Sequence, residues 1–387
     1  MHKGTRVVVT GVGVISPLGA SPCDLWDAVL EGRSAVRRLT HWEANGLPSN
    51  LGAEVEAVSR TTPFRDRVMA EAAMDQALSA AQLPAREVGL YWGAGLDSYI
   101  ATADGPRYRA AGDCFRELAS RFGAPRRMVA TACASGTQAI GEAFRLIRSG
   151  RSEACLAGGS SIMLHPLYIA GFSALQALVP SRELLDDDPA AACRPFDRKR
   201  RGLVLADGAG ALVLESLGSA ERRGVTPIAE VIGFGMSQDA YDLNRPPEDG
   251  HGAELSMRRA FADAGLEPEE LGAVNAHGTG THAGDRAEAA ALRRLLGDAW
   301  PRTPVSSVKG GLGHAMAAAG AIEAIVALRT AATGVVPPTV NLSVPDEGCE
   351  LDHVMREPRR TDATTVLSVS FGMGGQNASI VVERFLE

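Results

Sequence analysis

Apolar runs of strand length alternate with one-face helical patterns along almost the whole chain. That alternation admits few folds besides sheets covered by helices on their faces. Its clearest unit is Met128 to Gly150. Met128 to Ala130 reads as a strand end and Thr131-Ala-Cys133-Ala-Ser-Gly136 as a tight turn. The next stretch reads as a helix whose Ile140, Ala143, Phe144 and Ile147 share one face. Arg145 and Arg148 fall late in that helix and Gly150 stops it, in keeping with the helix dipole and C-terminal stop signals. Cys133 therefore sits at or just before a helix N-terminus, where unpaired N–H groups favour a thiolate. Free cysteines are commonly inert core residues, so this stretch alone leaves nucleophile and buried thiol both open.

The same grammar runs through the rest of the chain. Arg6 to Thr10 reads as a buried strand entering the glycine-rich turn Gly11-Val-Gly13-Val-Ile-Ser-Pro-Leu-Gly19. Neither the GxGxxG nor the GxxxxGK(S/T) spacing is present, so these glycines read as structural rather than phosphate-cradling. Helices are expected over 24–31 and 68–81, a strand over 88–93, and a polar, irregular excursion over 95–123. Glu153 to Gly159 reads as a strand, Pro195 to Gly202 as a charged loop, and 203–214 as two strands around the turn Asp207-Gly-Ala-Gly210. Another strand covers Ala229 to Met236. The turn-rich stretch after it divides the chain into halves 1–240 and 241–387. The second half repeats the order, with helices over 253–264, 286–296 and 316–330 and strands over 273–275, 305–307, 365–370 and 378–382. No detailed repeat of residues accompanies that repeat of elements.

Composition narrows the function classes. At 387 residues and 45% hydrophobic the chain can bury two ordinary cores, and with aromatics at 5% they must be built from Ala, Val and Leu. No run of about 18 apolar residues is expected to span a membrane, and no leader is visible ahead of Val7, which points to the cytoplasm. Cys23, Cys114, Cys133, Cys155, Cys193 and Cys349 are scattered without a CxxC or metal-like grouping, so reduced thiols and no metal are expected. A net charge of −7 argues against nucleic acid, and an acidic partner would need a local basic patch.

Three further turns carry reactive side chains directly after strand-like runs: Asn275-Ala-His277-Gly-Thr-Gly-Thr281, Ser306-Ser-Val-Lys309-Gly-Gly-Leu-Gly-His314 and Ser370-Phe-Gly-Met-Gly-Gly-Gln-Asn377. Catalytic groups of α/β folds collect at strand ends, so these turns are placed to converge on Cys133. Singly each signal is weak, since a lone histidine in a loop is more often structural, and the Lys309/His314 loop is the more telling. One Cys and two His on strand-end turns make a more specific pattern, and a Lys beside imidazoles helps keep them neutral.

These residues resemble the ordered motifs of the β-ketoacyl-acyl-carrier-protein synthases of the type I/II elongating kind, with a Cys-His-His triad. The likeness rests on Thr131-Ala-Cys133-Ala-Ser-Gly, His277-Gly-Thr-Gly-Thr281, Lys309-Gly-Gly-Leu-Gly-His314 and Phe371-Gly-Met-Gly-Gly. It extends to Arg194-Pro-Phe-Asp197, Asp207-Gly-Ala-Gly210, Pro337-Pro-Thr-Val-Asn341 and Pro345-Asp-Glu-Gly-Cys349. The resemblance implies an α/β thiolase fold, duplicated βαβα halves in a five-layered α-β-α-β-α sandwich, usually a dimer. It implies decarboxylative condensation of an acyl thioester with malonyl carrier protein, in fatty acid or polyketide synthesis. No cofactor is implied beyond the phosphopantetheine arm that carries the substrates.

By the same likeness Cys133 is the nucleophile, the N–H groups of Cys133 and Met373 form the oxyanion hole, and His277 and His314 hold the enolate. Lys309 tunes the histidines, Thr279 and Thr281 hold the pantetheine arm, Phe371 and Met373 border the acyl pocket, and Glu323 is structural near the site. Arg65, Arg67, Arg126, Arg127 and Arg198-Lys-Arg-Arg201 are candidates for the basic patch that receives an acidic acyl carrier protein. Two departures stand out. Met373 takes the place of a gating Phe, and a thioether gates less rigidly than a ring. The stretch 95–129 is also shorter than its counterparts, which touches chain length and partner choice. The alternatives are an acyltransferase and a chain-length-factor-like subunit of a ketosynthase heterodimer. The intact triad counts against the latter, and the absence of a cysteine in Phe371-Gly-Met-Gly-Gly counts against a thiolase.

Overall fold

The computed structural model describes residues 4–40, 46–102, 105–184 and 188–386; the first three residues, on which the expectation of no leader partly rests, lie outside them. Among these, ten strands form one sheet. They are β1 (Val7–Ile15), β2 (Gly89–Gly93), β3 (Arg126–Val129), β4 (Ala154–Ser161), β5 (Gly208–Ser216), β6 (Ala229–Gln238), β7 (Ala273–Asn275), β8 (Val305–Ser306), β9 (Thr365–Gly372) and β10 (Gln376–Arg384). Their order across the sheet is β8-β7-β9-β10-β6-β1-β5-β4-β2-β3.

Read outward from the centre, β1-β5-β4-β2-β3 and β6-β10-β9-β7-β8 are the same path taken twice. Pairing senses agree as well: antiparallel, antiparallel, parallel, parallel in each half. The halves join through the antiparallel pair β1·β6, in register at Val7 with Val231. The duplication expected from element order is therefore explicit in the topology. The seam lies before β6, because β6 is the opening strand of the second half; the division expected at residue 240 falls one strand late.

Helices complete five layers. α1 (Arg65–Ala81) covers the outer face of β1 and β5, and α3 (His251–Ala264) covers β6 and β10 with α4 (His282–Leu296) beside it. α2 (Ser135–Arg148) and α5 (Ala319–Thr333) lie between the two half-sheets and touch strands of both. The stretch Met316–Thr333 is long and apolar enough to cross a membrane, contrary to expectation. Here it is the core helix of the middle layer, with Ile322, Ile325 and Leu328 buried. A helix apolar on nearly every face is what a position between two sheets demands, and its one buried charge, Glu323, is paired with Lys309.

Gly19 closes a tight turn with Ser16, but the glycines ahead of it do not turn the chain. Gly11 and Gly13 lie inside β1, where a Cβ would stand 2.1 Å from the Ala77 carbonyl oxygen and 2.0 Å from that of Ala73 on α1. Gly233 and Gly235 do the same in β6, 2.3 Å from the Ala260 oxygen and 1.9 Å from that of Ser256 on α3. The matching Gly-x-Gly pairs let each outer helix lie directly on its strand, and they are a residue-level trace of the duplication. Likewise Gly208 and Gly210 extend β5 instead of forming a turn, and Gly210 passes close beneath α5. The stretch 95–123 is more regular than expected. It holds the hairpin Ser98–Thr102 with Gly105–Arg109 and a helix over Ala111–Ala119.

Candidate active site

Cys133 is aimed by strain at the head of α2. Ala132, with φ 50, takes a left-handed conformation that costs a non-glycine residue about 1 kcal/mol or more, and so bends the chain sharply ahead of the helix. Ser135 staples the bend, its Oγ accepting from the Thr131 N–H at 2.9 Å and donating to the Ala132 carbonyl at 2.7 Å. The backbone N–H groups of Met373 and of Cys133 itself act on Sγ and favour its anion. The duplicated half makes the same bend at Met316, φ 44, ahead of α5. That bend places the Met316 thioether 3.4 Å from the Cys133 sulfur.

Both histidines reach the same point. His314 Nε2 stands 3.1 Å from Cys133 Sγ. The His277 ring lies edge-on to that of His314, centroids 5.3 Å apart, and 5.5 Å from the ring of Phe371. Lys309, fully buried, donates to the His277 carbonyl at 2.7 Å, pairs with Glu323, and stands 3.4 Å from His277 Nδ1. Lysine only donates, so His277 Nδ1 must accept and its proton sits on Nε2, on the pocket side. Burial, then the Lys309 charge, hold both imidazoles well below the ordinary histidine value of 6.5. They are neutral at pH 7.

The sulfur departs from expectation. Burial pushes the Cys133 thiol up to about 11, outweighing the Met373 and Cys133 N–H groups and Lys309, which pull it down. A helix N-terminus does not by itself give a thiolate here. The resting group is a thiol facing a neutral imidazole, and the proton's nearest acceptor is His314 Nε2.

Residues that sequence reasoning passed over hold the His277 turn. Asp285 and Glu288 project from α4 on one face. Glu288 accepts from the His277 and Gly278 N–H groups at 2.7 Å each, and Asp285 from Phe196 and Gly280 at 2.6 and 3.1 Å. Burial raises Glu288 to about 8 and Asp285 to about 6. Arg200, placed by sequence in the basic patch, is buried instead; it donates to the carbonyls of Thr281 and His282 and to Asp346. The available signal was two acids three residues apart within an apolar helix stripe.

A cavity of about 360 Å³ runs from Cys133 past both histidines to the surface, lined by Thr279, Thr281, Phe371 and Met373. The two threonine hydroxyls are 3.0 Å apart. The stretch 237–252 is mostly exposed and borders this cavity: Gly374 N–H donates to the Leu243 carbonyl at 2.8 Å and Asn377 to Asp239 at 2.6 Å. On its other side Cys133 packs into a closed apolar cluster with Met163, Leu164, Leu205 and Met316. Thus Cys133, His277, His314, Lys309, Glu323, Thr279, Thr281, Phe371 and Met373 gather in one place. Of the expected basic residues, Arg201 lines the cavity, while Arg65 is buried against Asp207, Arg67 pairs with Glu117, and Arg127 with Glu142.

Comparison with known proteins gives a consistent picture. Family models described as beta-ketoacyl synthase, N-terminal and C-terminal domains, match residues 4–77 and 52–220, and 228–343. The 3-oxoacyl-[acyl-carrier-protein] synthase 2 of Coxiella burnetii is 36% identical over 414 aligned positions, covering 99% of each chain. A ketosynthase solved in complex with its type II PKS acyl carrier protein superposes with a TM-score of 0.89 at 30% identity, covering 99% of this chain and 100% of that one. The ishigamide ketosynthase/chain length factor follows at 0.86 and 32%, with the same coverage.

Proposed function

The chain belongs to the β-ketoacyl synthase family, and on that premise we propose that it condenses a carrier-bound acyl thioester with malonyl carrier protein through Cys133. One observation carries the proposal: a thiol, two neutral imidazoles and two convergent N–H groups meet at the inner end of a single cavity.

The chemistry follows from that arrangement. As Cys133 Sγ attacks the acyl carbonyl, His314 Nε2 takes its proton, and the carbonyl oxygen gathers charge against the N–H groups of Cys133 and Met373. The bond to the pantetheine sulfur breaks, that sulfur leaves with the proton from His314, and the acyl group stays on Cys133. Malonyl carrier protein then loses carbon dioxide. The freed electron pair becomes an enolate, whose oxygen accepts from His277 Nε2–H and, once its proton is on Nε2, from His314. The enolate carbon attacks the acyl-Cys133 carbonyl, a C–C bond forms, the C–S bond breaks with its electron pair on Sγ, which takes up one proton from solvent to restore the thiol, and the β-ketoacyl group departs on the carrier. Lys309 holds His277 in the donating tautomer, Thr279 and Thr281 line the path of the arm, and Glu323 anchors Lys309.

The acyl carrier protein is the proposed partner, supported by the cavity and by the carrier complex of the ketosynthase neighbour. We assign a dimer, supported by the open edge of β3, and a reducing compartment, supported by six unpaired cysteines. The test is malonyl carrier protein decarboxylation by His277→Ala. Acyl transfer to Cys133 is expected to persist, and carbon dioxide release to fall about a hundredfold or more. Undiminished release would remove His277 from the reaction.

A further inference from the structure

Condensation brings two groups to one sulfur. The acyl chain is still on Cys133 when the malonyl arm arrives, yet the cavity that opens at Cys133, about 360 Å³, has the size of a single small-molecule site. With Thr279 and Thr281 on its wall, that cavity is the path of the arm. The acyl chain therefore needs room on the other side of the sulfur. There Cys133 belongs to a buried apolar cluster with Met163, Leu164, Ile169, Leu205 and Met316, which is closed at rest.

Met316 stands at the boundary. It lines the cavity, belongs to the cluster, and holds its thioether 3.4 Å from Cys133 Sγ. Its backbone is fixed in the tight turn before α5, with φ 44 and the Ala318 N–H donating to the Ala315 carbonyl at 2.9 Å. Its side chain is unbranched and turns about three bonds, so it is the part of this wall most able to move. Met373, which the sequence puts forward as the gate, lines the cavity but does not pack into the cluster.

We propose that Met316 is the specificity-determining residue of acyl transfer. Its side chain turns off the sulfur to admit an apolar acyl chain into the cluster, and its bulk limits the length of that chain. The inference rests on the proposed function, which supplies the acyl group on Cys133. A longer chain must displace side chains that are already close-packed, and overfilling such a core is unfavourable. Cutting Met316 back to Cβ opens the space in advance.

The test measures acyl transfer to Cys133 by intact mass, from butyryl- and octanoyl-loaded bacterial acyl carrier protein. It compares the wild type with Met316→Ala, Met316→Gly and Met373→Ala; glycine adopts φ 44 without strain, so Met316→Gly serves if the alanine variant does not fold. The wild type is expected to take butyryl faster than octanoyl. The octanoyl-to-butyryl ratio of rate constants is expected to rise about tenfold or more in the Met316 variants, and to rise less in Met373→Ala. A wild type that takes octanoyl as fast as butyryl, a smaller rise in the Met316 variants, or a greater rise in Met373→Ala than in those variants overturns the inference and leaves the proposed function standing. A wild type that takes neither acyl group refutes the proposed function, and this inference with it.

Discussion

Two opposing effects meet at Cys133. Desolvation raises the thiol to about 11, while the convergent N–H groups and the buried Lys309 favour the anion without prevailing. A thiol with a neutral imidazole 3.1 Å away does not need a standing thiolate, because the proton can move as the carbonyl is attacked. The sign for the imidazoles follows from their environment: folded values well below 6.5 keep both rings uncharged until the pH is far below that value. Condensation with saturating substrates is therefore expected to stay level from pH 8 down to about 6. An acid limb centred near the ordinary histidine value would show that these rings are not held neutral. At this scale the sequence was most informative, since each motif residue reached the site. It was least informative about partners supplied by the fold: Glu288, Asp285 and Arg200 are remote from the histidine turn in sequence or look like surface charges.

Strands and helices were legible where periodicity speaks, as in α2, α3 and β9. Glycine was misread where its role is tertiary. Nothing local tells Gly13 in a turn from Gly13 under a helix; only α1, some 60 residues on, makes the difference. The close approach carries a stability consequence. Gly235→Val would force a side chain into the Ser256 carbonyl, where even a Cβ would be 1.9 Å away. Overpacking of this kind is expected to cost about 1–3 kcal/mol or more, read as a lowered urea midpoint. An unchanged midpoint would mean that α3 does not lie on β6 as described. Met316 shows the same limit: its strained φ and its contact with the catalytic sulfur follow from the duplicated bend, which no residue pattern announces.

The whole molecule is one plan built twice, with its chemistry placed once. The bend Ala132-Cys133-Ala134 before α2 corresponds to Met316-Ala317-Ala318 before α5, so the second half offers an alanine where the first offers a thiol. Its contribution is instead the two histidine turns, which the middle layer brings onto the first half's cysteine. Of six free cysteines only Cys133 lines the cavity, while Cys23 is exposed outside it. The most direct test is intact-protein mass spectrometry after incubation with butyryl-loaded acyl carrier protein, with the modified residue located by peptide mapping. One butyryl group per chain, on Cys133, and none in Cys133→Ala is the expected result; a butyryl adduct that persists in Cys133→Ala, or that maps to another cysteine, would contradict the account.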